Sequence, residues 1–398
     1  MANRIYFANQ QVAFRKDGDT TWIAAHGVQS VAVTTTFNLE QAFELGQLAI
    51  YENIEGVPDI EVTMSKGLDG YPLIYHLATD EDSHNHGPTL AGRSNASCIV
   101  GLGIWPDTQD SASGNPIQQM EASGMFCSAV SYNFPLEDNF SEDVTLVGNN
   151  KGWQNGVGAG AIGCATPGWA FATATGDFSV LDAPFAGSTA GEATGSYGGV
   201  NRRENLAFAT TTASDAGGVD YTYLPTEIPG VDGNGWMSPK NANNVAHVQS
   251  ITVSTDLGRE ELFELGTRQP YARVVTFPVE VTCDIEVLSL SGDLINAFAD
   301  GCVTSVSPCT GIVDNLTDQR IRIAACEGTR IYLGEKNKLA SVNYGGVDAG
   351  GGNVTVSYSY TTFNDFTVLH PEDPNGSGAE WWANRSNYLT AYVKRLIY

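Results

Sequence analysis

Residues 28–46 read VQSVAVTTTFNLEQAFELG, and residues 248–266 read VQSITVSTDLGREELFELG. The offset is constant at 220 (248 − 28), and about half of the positions are identical, among them Val28/Val248, Ser30/Ser250, Glu40/Glu260 and the closing FELG. A chain that repeats a segment at this spacing builds one supersecondary unit twice, which limits its architecture more than any composition can. DIEV recurs at Asp59–Val62 and at Asp284–Val287, each time before a polar turn. Short helices are expected next, over YPLIYHLA (71–78) and DLINAFAD (293–300), where apolar residues fall at helical spacing. Further on, SAVSYNF (128–134) before DVTLVG (143–148) matches LASVNYG (339–345) before NVTVSYSY (353–360), two strands joined by a polar connection in each copy. The 398 residues exceed the roughly 250–300 at which single cores split. The expected division is a first domain over 1–150, a Gly/Ala/Ser/Thr-rich inserted or linking segment over 151–222, and a second domain over 223–398.

Both copies read as β. In VEVTCDIEV, Val279, Val281, Cys283, Ile285 and Val287 share one face, and Glu280, Thr282, Asp284 and Glu286 share the other. Asp59, Glu61 and Thr63 share one face of the corresponding first-copy strand. Charged residues make up only 16% against about 25% in ordinary soluble domains, whereas Gly is abundant at 44 residues. Strands joined by turns fit this balance and helical bundles do not. The predicted fold is mainly β: two tandem antiparallel β-sandwiches, each with a short flanking helix. For the segment between them, packing against a neighbouring subunit and an exposed linker both stand as readings.

With 20 basic against 45 acidic residues, the formal net charge is −25 and the pI about 4.4. This excludes a protein that grips phosphates, which needs basic patches. An acidic wall along which DNA slides without sticking is compatible with it, and so is charge kept for solubility alone. For the acidic strand faces the same two readings are a channel lining and an outer face wetted by solvent.

Chemistry finds no foothold. GxSxG, HExxH, Walker A and Rossmann frames are missing, and GAGAIG (158–163) lacks the strand and acidic residue that a dinucleotide site requires. His84 and His86 in DEDSHNHG (80–87) lie beside carboxylates but outside any recognised ligand spacing, so a solvated loop is favoured over a metal site. HPEDPNGSGAE (370–380) lacks EF-hand spacing. No enzymatic activity and no cofactor are expected. Cys98, Cys127, Cys164, Cys283, Cys302, Cys309 and Cys326 are odd in number and form no CxxC, which suits reduced, buried thiols. Neither an N-terminal apolar h-region nor a run of about 20 apolar residues is present, so a soluble chain without membrane insertion is expected.

The duplicated VQS strands leading into FELG, GQLAIYENIEG, DGYPLIYHLA, SAVSYNFPLEDNFSEDVTLVGNN, VNRREN and LPTEIPG together resemble tail tube (major tail) proteins of long-tailed bacteriophages. The resemblance covers most of residues 20–150 and 220–362. It implies a virion protein, assembled in the host cytoplasm, whose rings stack into a β-barrel-lined tail tube through which DNA passes without specific binding. Many tube proteins carry one such domain and form hexameric rings. Two copies per chain imply that three chains supply six domains, with homotrimeric and homohexameric rings both open. Partners implied are further copies of this chain and the tape measure, terminator and distal tail proteins. Asp59, Glu61, Thr63, Glu280, Thr282, Asp284 and Glu286 are the expected lumen residues. The FELG segments, Phe43, Glu44 and Leu45 with Phe263, Glu264 and Leu265, are expected at subunit or ring contacts, the alternative being that both phenylalanines plug their own cores. A competing function is a receptor- or glycan-binding sandwich of a tail tip or another surface, with Trp381 and Trp382 as the sugar platform.

Overall fold

A computed structural model describes residues 4–16, 22–46, 48–79, 89–108, 116–155, 199–208, 221–231, 235, 246–289, 292–297, 302–303, 312–313, 316–345 and 352–370. The first copy contains β1 (Gln10–Lys16), β2 (Ile23–Ala24), β3 (Val28–Thr36), β4 (Leu39–Phe43), β5 (Ile50–Glu55) and β6 (Asp59–Gly67). Helices α1 (Ile74–Ala78) and α2 (Leu90–Arg93) follow, then β7 (Ser97–Ile104), β8 (Gln118–Pro135), β9 (Ser141–Gly148) and β10 (Asn150–Asn155). The second copy has β11 (His247–Asp256), β12 (Arg259–Leu262), β13 (Ala272–Val275), β14 (Glu280–Leu288), β15 (Cys302–Val303) and β16 (Ile312–Val313). It ends with β17 (Arg322–Ala324), β18 (Arg330–Tyr332), β19 (Lys338–Tyr344), β20 (Thr355–Phe363) and β21 (Thr367–Leu369). All the ladders between these strands are antiparallel, so the fold is mainly β, as the alternation predicts.

The two copies join into one sheet. Four strands of the first run in the order β3-β6-β9-β8, and four of the second in the order β11-β14-β20-β19. β8 and β11 pair edge to edge, from Ser250 opposite Pro135 to Asp256 opposite Ala129. An eight-stranded wall results, with β3 at one end and β19 at the other.

Equivalent strands carry equivalent irregularities, which fixes their alignment residue by residue. β3 and β11 are both bulged after their opening valine, between Val28 and Ser30 and between Val248 and Ser250. β8 and β19 are bulged between Cys127 and Ala129 and between Leu339 and Ser341. In this frame Val62, opposite Val33 and Leu146, matches Cys283, opposite Val253 and Tyr360. Asp59 therefore matches Glu280, and DIEV (59–62) lies over EVTC (280–283), not over the second DIEV. That identity is displaced by four residues. An even displacement preserves the face, so the sequence alignment misplaces the strand along its axis without turning it over.

Under the wall lies one apolar core containing residues of both copies, among them Val62, Leu146, Tyr132, Val253, Ile285 and Tyr358. In the first copy α1 closes it, and all five of its residues are buried. Its leading amides, which no intrahelical carbonyl can satisfy, donate to the buried Glu142 carboxylate: Ile74 N at 2.6 Å and Tyr75 N at 3.0 Å. The second helix expected over 293–300 is not helical in the described residues 292–297. Leu294 has φ +58°, and Asp293 Oδ1 accepts from Ile295 N at 3.1 Å, a local turn that competes with helix. The copies also interlock beneath the wall. Leu90 N donates to Phe366 O at 3.0 Å, and His76 Nε2 donates to Val368 O at 3.2 Å.

Candidate assembly surface: a polar wall, two edges and two hairpins

Alternation along eight strands sorts the wall into two faces. The face turned from the core carries Asp59, Glu61, Thr63 and Ser65 on β6, and Glu280, Thr282, Asp284 and Glu286 on β14. In register with them are Thr34, Asp143, Thr145, Ser131, Ser254, Ser357 and Ser359. All seven residues expected to line a lumen thus share one surface. Among the described lysines and arginines, Lys338 stands on this face, ion-paired with Asp318 at 3.2 Å, and Arg273 reaches its edge to pair with Asp59 at 3.5 Å. Ser and Thr hydroxyls bond to one another and to these acids: Ser254 Oγ lies 2.7 Å from Thr282 Oγ1, and Ser250 Oγ donates to Glu286 at 3.4 Å. The face is concave, because Ser30, Thr63, Thr145, Ser131 and Ser254, on five successive strands, line one open hollow of about 510 Å³.

At both ends the wall stops at unpaired edges. β3 pairs with β6 alone and β19 with β20 alone among the described residues. Their internal equivalents, β11 and β8, pair with each other. Burial reflects the difference: Tyr132 on β8 is 0% exposed, whereas Tyr344, its match on β19, is 48% exposed. Beyond their bulges, edges such as these are pairing templates unless something covers them.

Each copy also projects a hairpin from the start of the wall, β4–β5 and β12–β13. Phe43 (65% exposed) and Phe263 (57%) stand at their tips with Leu45 and Leu265, both fully exposed. Glu44 and Glu264 are exposed as well, so neither phenylalanine plugs its own core. Local chemistry builds these excursions: the Asn38 amide donates to Val57 O at 2.9 Å and to Asp59 at 2.8 Å, pinning the base of the first hairpin to the wall. The second hairpin is tied to the first copy by arginines. Arg259 Nε donates to Cys127 O at 2.8 Å, with its guanidinium 5.2 Å from the Phe126 ring. Arg268 Nη2 donates to the carbonyls of Glu55 and Gly56, both at 2.8 Å. Arg273 bonds to Glu261, to Asn149 Oδ1 at 3.2 Å, and to Asp59 at 3.5 Å. These residues went unremarked in the sequence, although a signal was present: at the 220 offset the first copy has Leu39, Leu48 and Asn53.

Among the described residues no group of three His, Cys, Asp or Glu could hold a metal. His84, His86, Trp381, Trp382 and residues 156–198 lie outside the described residues. Cys98, Cys127 and Cys283 are buried free thiols, and burial pushes Cys127 up to about 12. Among the described residues no helix is long and apolar enough to cross a membrane.

Two solved structures are weakly similar in shape to part of this chain. One is a chain of the anti-feeding prophage baseplate, with 10% identity and TM-score 0.30 over 39% of this chain and 98% of that one. Another is a chain of the sheath–tube complex of the PVC extracellular contractile injection system in its extended state, with 13% identity and TM-score 0.27 over 38% of this chain and 92% of that one. No protein-family description matches the sequence, and no curated protein matches it.

Proposed function

We propose that this chain is a structural subunit of a phage tail tube, polymerising as stacked rings around an acidic channel. The observation that carries this reading is the joint between β8 and β11, where one copy of the repeat extends the sheet of the other. β19 and β3 are the repeat equivalents of β8 and β11, and among the described residues each has one free edge. The joint can therefore be made again between chains, β19 of one against β3 of the next, and repeated until the wall closes. The internal register carries over to place Val33 opposite Tyr344, Thr34 opposite Asn343, Thr35 opposite Val342 and Thr36 opposite Ser341.

Three chains would close 24 strands, which at about 4.8 Å per strand gives a barrel roughly 37 Å across before tilt widens it. The concave, acidic, hydroxyl-rich face then lines the lumen and leaves DNA phosphates unbound. The hairpin tips project towards neighbouring subunits or the next ring. Tape measure, terminator and distal tail proteins are the further partners of such a tube, and no catalysis is required of it.

Negative-stain microscopy of the purified chain, with sedimentation across a concentration series, tests the proposal. Rings or tubes are expected. Monomers at all concentrations that bind to a glycan array would overturn it in favour of a receptor-binding sandwich.

A further inference from the structure

The seam inside the chain and the open seam differ in chemistry. Inside, Leu257 follows β11, donates its amide to Ser128 O at 2.7 Å and is 1% exposed. Arg259, Arg268 and Arg273 then tie the overlying hairpin to the first copy, with Asn149 as a receiving group. At the open seam the corresponding residues are Phe37, 69% exposed, with Leu39 and Leu48, also exposed. The receiving side changes with them: Asn149, next after the Gly148 that pairs with Ile60, is matched by Phe363, which is exposed and pairs with Glu280, three residues beyond the exposed Phe277. Two of the three arginine positions are leucine in the first copy and the third is Asn53, while phenylalanine stands on the receiving side where the internal seam has Asn149. A surface facing only water has no need of that coordinated change.

We infer that the open seam is an apolar docking surface for a second copy of this chain. Phe37 takes the place that Leu257 holds internally, while Leu39 and Leu48 pack against the next chain's end of the wall at Phe277 and Phe363. The inference rests on the tube reading for its occupant and adds what holds the chains together. The internal seam is tied by charge-assisted bonds formed once, at folding. The external seam forms by burial of apolar surface, so assembly is expected to persist when salt screens charge. Raising salt from 0.1 to 1 M shortens the screening length from about 10 to about 3 Å and also weakens repulsion between these acidic chains.

The test compares Phe37→Ser, Phe363→Ser and Arg268→Ala, each in a chain that also carries Thr34→Cys and Asn343→Cys. Inter-chain 34–343 disulfides are read by mass spectrometry of the linked peptides, and folding by circular dichroism. Both phenylalanines are exposed, so their serine variants should fold. Each should raise the concentration at which cross-linked rings form by about tenfold or more, the share expected of one buried aromatic. Arg268→Ala should assemble at the concentration of the parent, and rings of the parent without the added cysteines should stay intact in 1 M NaCl. If the serine variants cross-link at the parent's concentration, or if 1 M NaCl dissolves the rings, the apolar seam is wrong while edge pairing stands. If the parent never forms the 34–343 link at any salt, edge pairing and the tube reading fall together.

Discussion

Replacing Glu142 by alanine should cost the isolated chain about 3–5 kcal/mol, the cost of breaking a buried charged cluster. The carboxylate is fully buried and accepts from Ile74 N, from Tyr75 N and from Tyr132 Oη at 2.9 Å. Removing it strands three donors away from water at roughly 1–3 kcal/mol each, and partial relaxation of the five-residue α1 holds the sum below the simple total. Lys66, buried nearby and paired with Asp69, also loses a compensating charge. Burial pushes the Glu142 carboxyl above its ordinary range while these amide and hydroxyl donors pull it back. Tyr132→Phe removes one of the three bonds and should cost only about 1–2 kcal/mol. The consequence reaches the seam, because Tyr132 stands opposite Val253 where the copies join. Urea unfolding of monomer is the assay: with a slope of roughly 2–3 kcal/mol per molar, Glu142→Ala should lower the midpoint by about 1–2 M with the slope unchanged. The double variant should fall short of additivity by at least 0.5 kcal/mol or so. A Glu142→Ala midpoint within 0.3 M or so of the parent would show that α1 does not depend on this carboxylate, and the reasoning would fail.

Two further outcomes are expected. Asp284→Lys with Glu286→Lys places two lysines per chain on the concave face, each worth about 1 kcal/mol per close phosphate contact in water, so DNA passage should slow in low salt and recover as salt rises. Unchanged ejection from assembled low-salt tails would remove these positions from the channel. His370, desolvated by burial and facing His76, Lys66 and Arg330, is held well below the ordinary histidine range. Below about pH 6.5 the unfolded chain takes up a proton that the folded one refuses, so stability present at pH 7.5 should decline by up to about 1.4 kcal/mol per pH unit as pH falls towards 5. Glu142 and Glu327, both raised by burial, act in the opposite sense at the acidic end of that window. Urea midpoints at pH 7.5 and 5.5 should therefore differ less in His370→Gln than in the parent; equal differences would count against the assignment.

Much of this surface was legible from residues alone. Val279 to Val287 alternate with acids, and a strand's side chains point to opposite faces whatever the neighbouring strand is, so the acidic face could be assigned before any pairing was known. The repeat marked FELG twice, and both copies of it lie at hairpin tips with exposed phenylalanines. What sequence could not decide was every feature that depends on a distant partner. The match of Asp59 to Glu280, not to Asp284, follows from where Val62 and Cys283 meet their neighbours, and a strand can slide by an even number of residues without changing its local pattern. The apolar spacing of DLINAFAD favoured a helix, but Leu294 and the Asp293 turn hold the described part of that segment otherwise, with Tyr358 Oη donating to Asp293 O at 3.0 Å. That two copies would form one wall depended on β8 meeting β11 across more than a hundred residues. The same join turned Leu257 inward and left Phe37, its twin in the repeat, facing out. Periodicity is written locally and survives in any context, whereas burial belongs to whichever edge a strand finally meets.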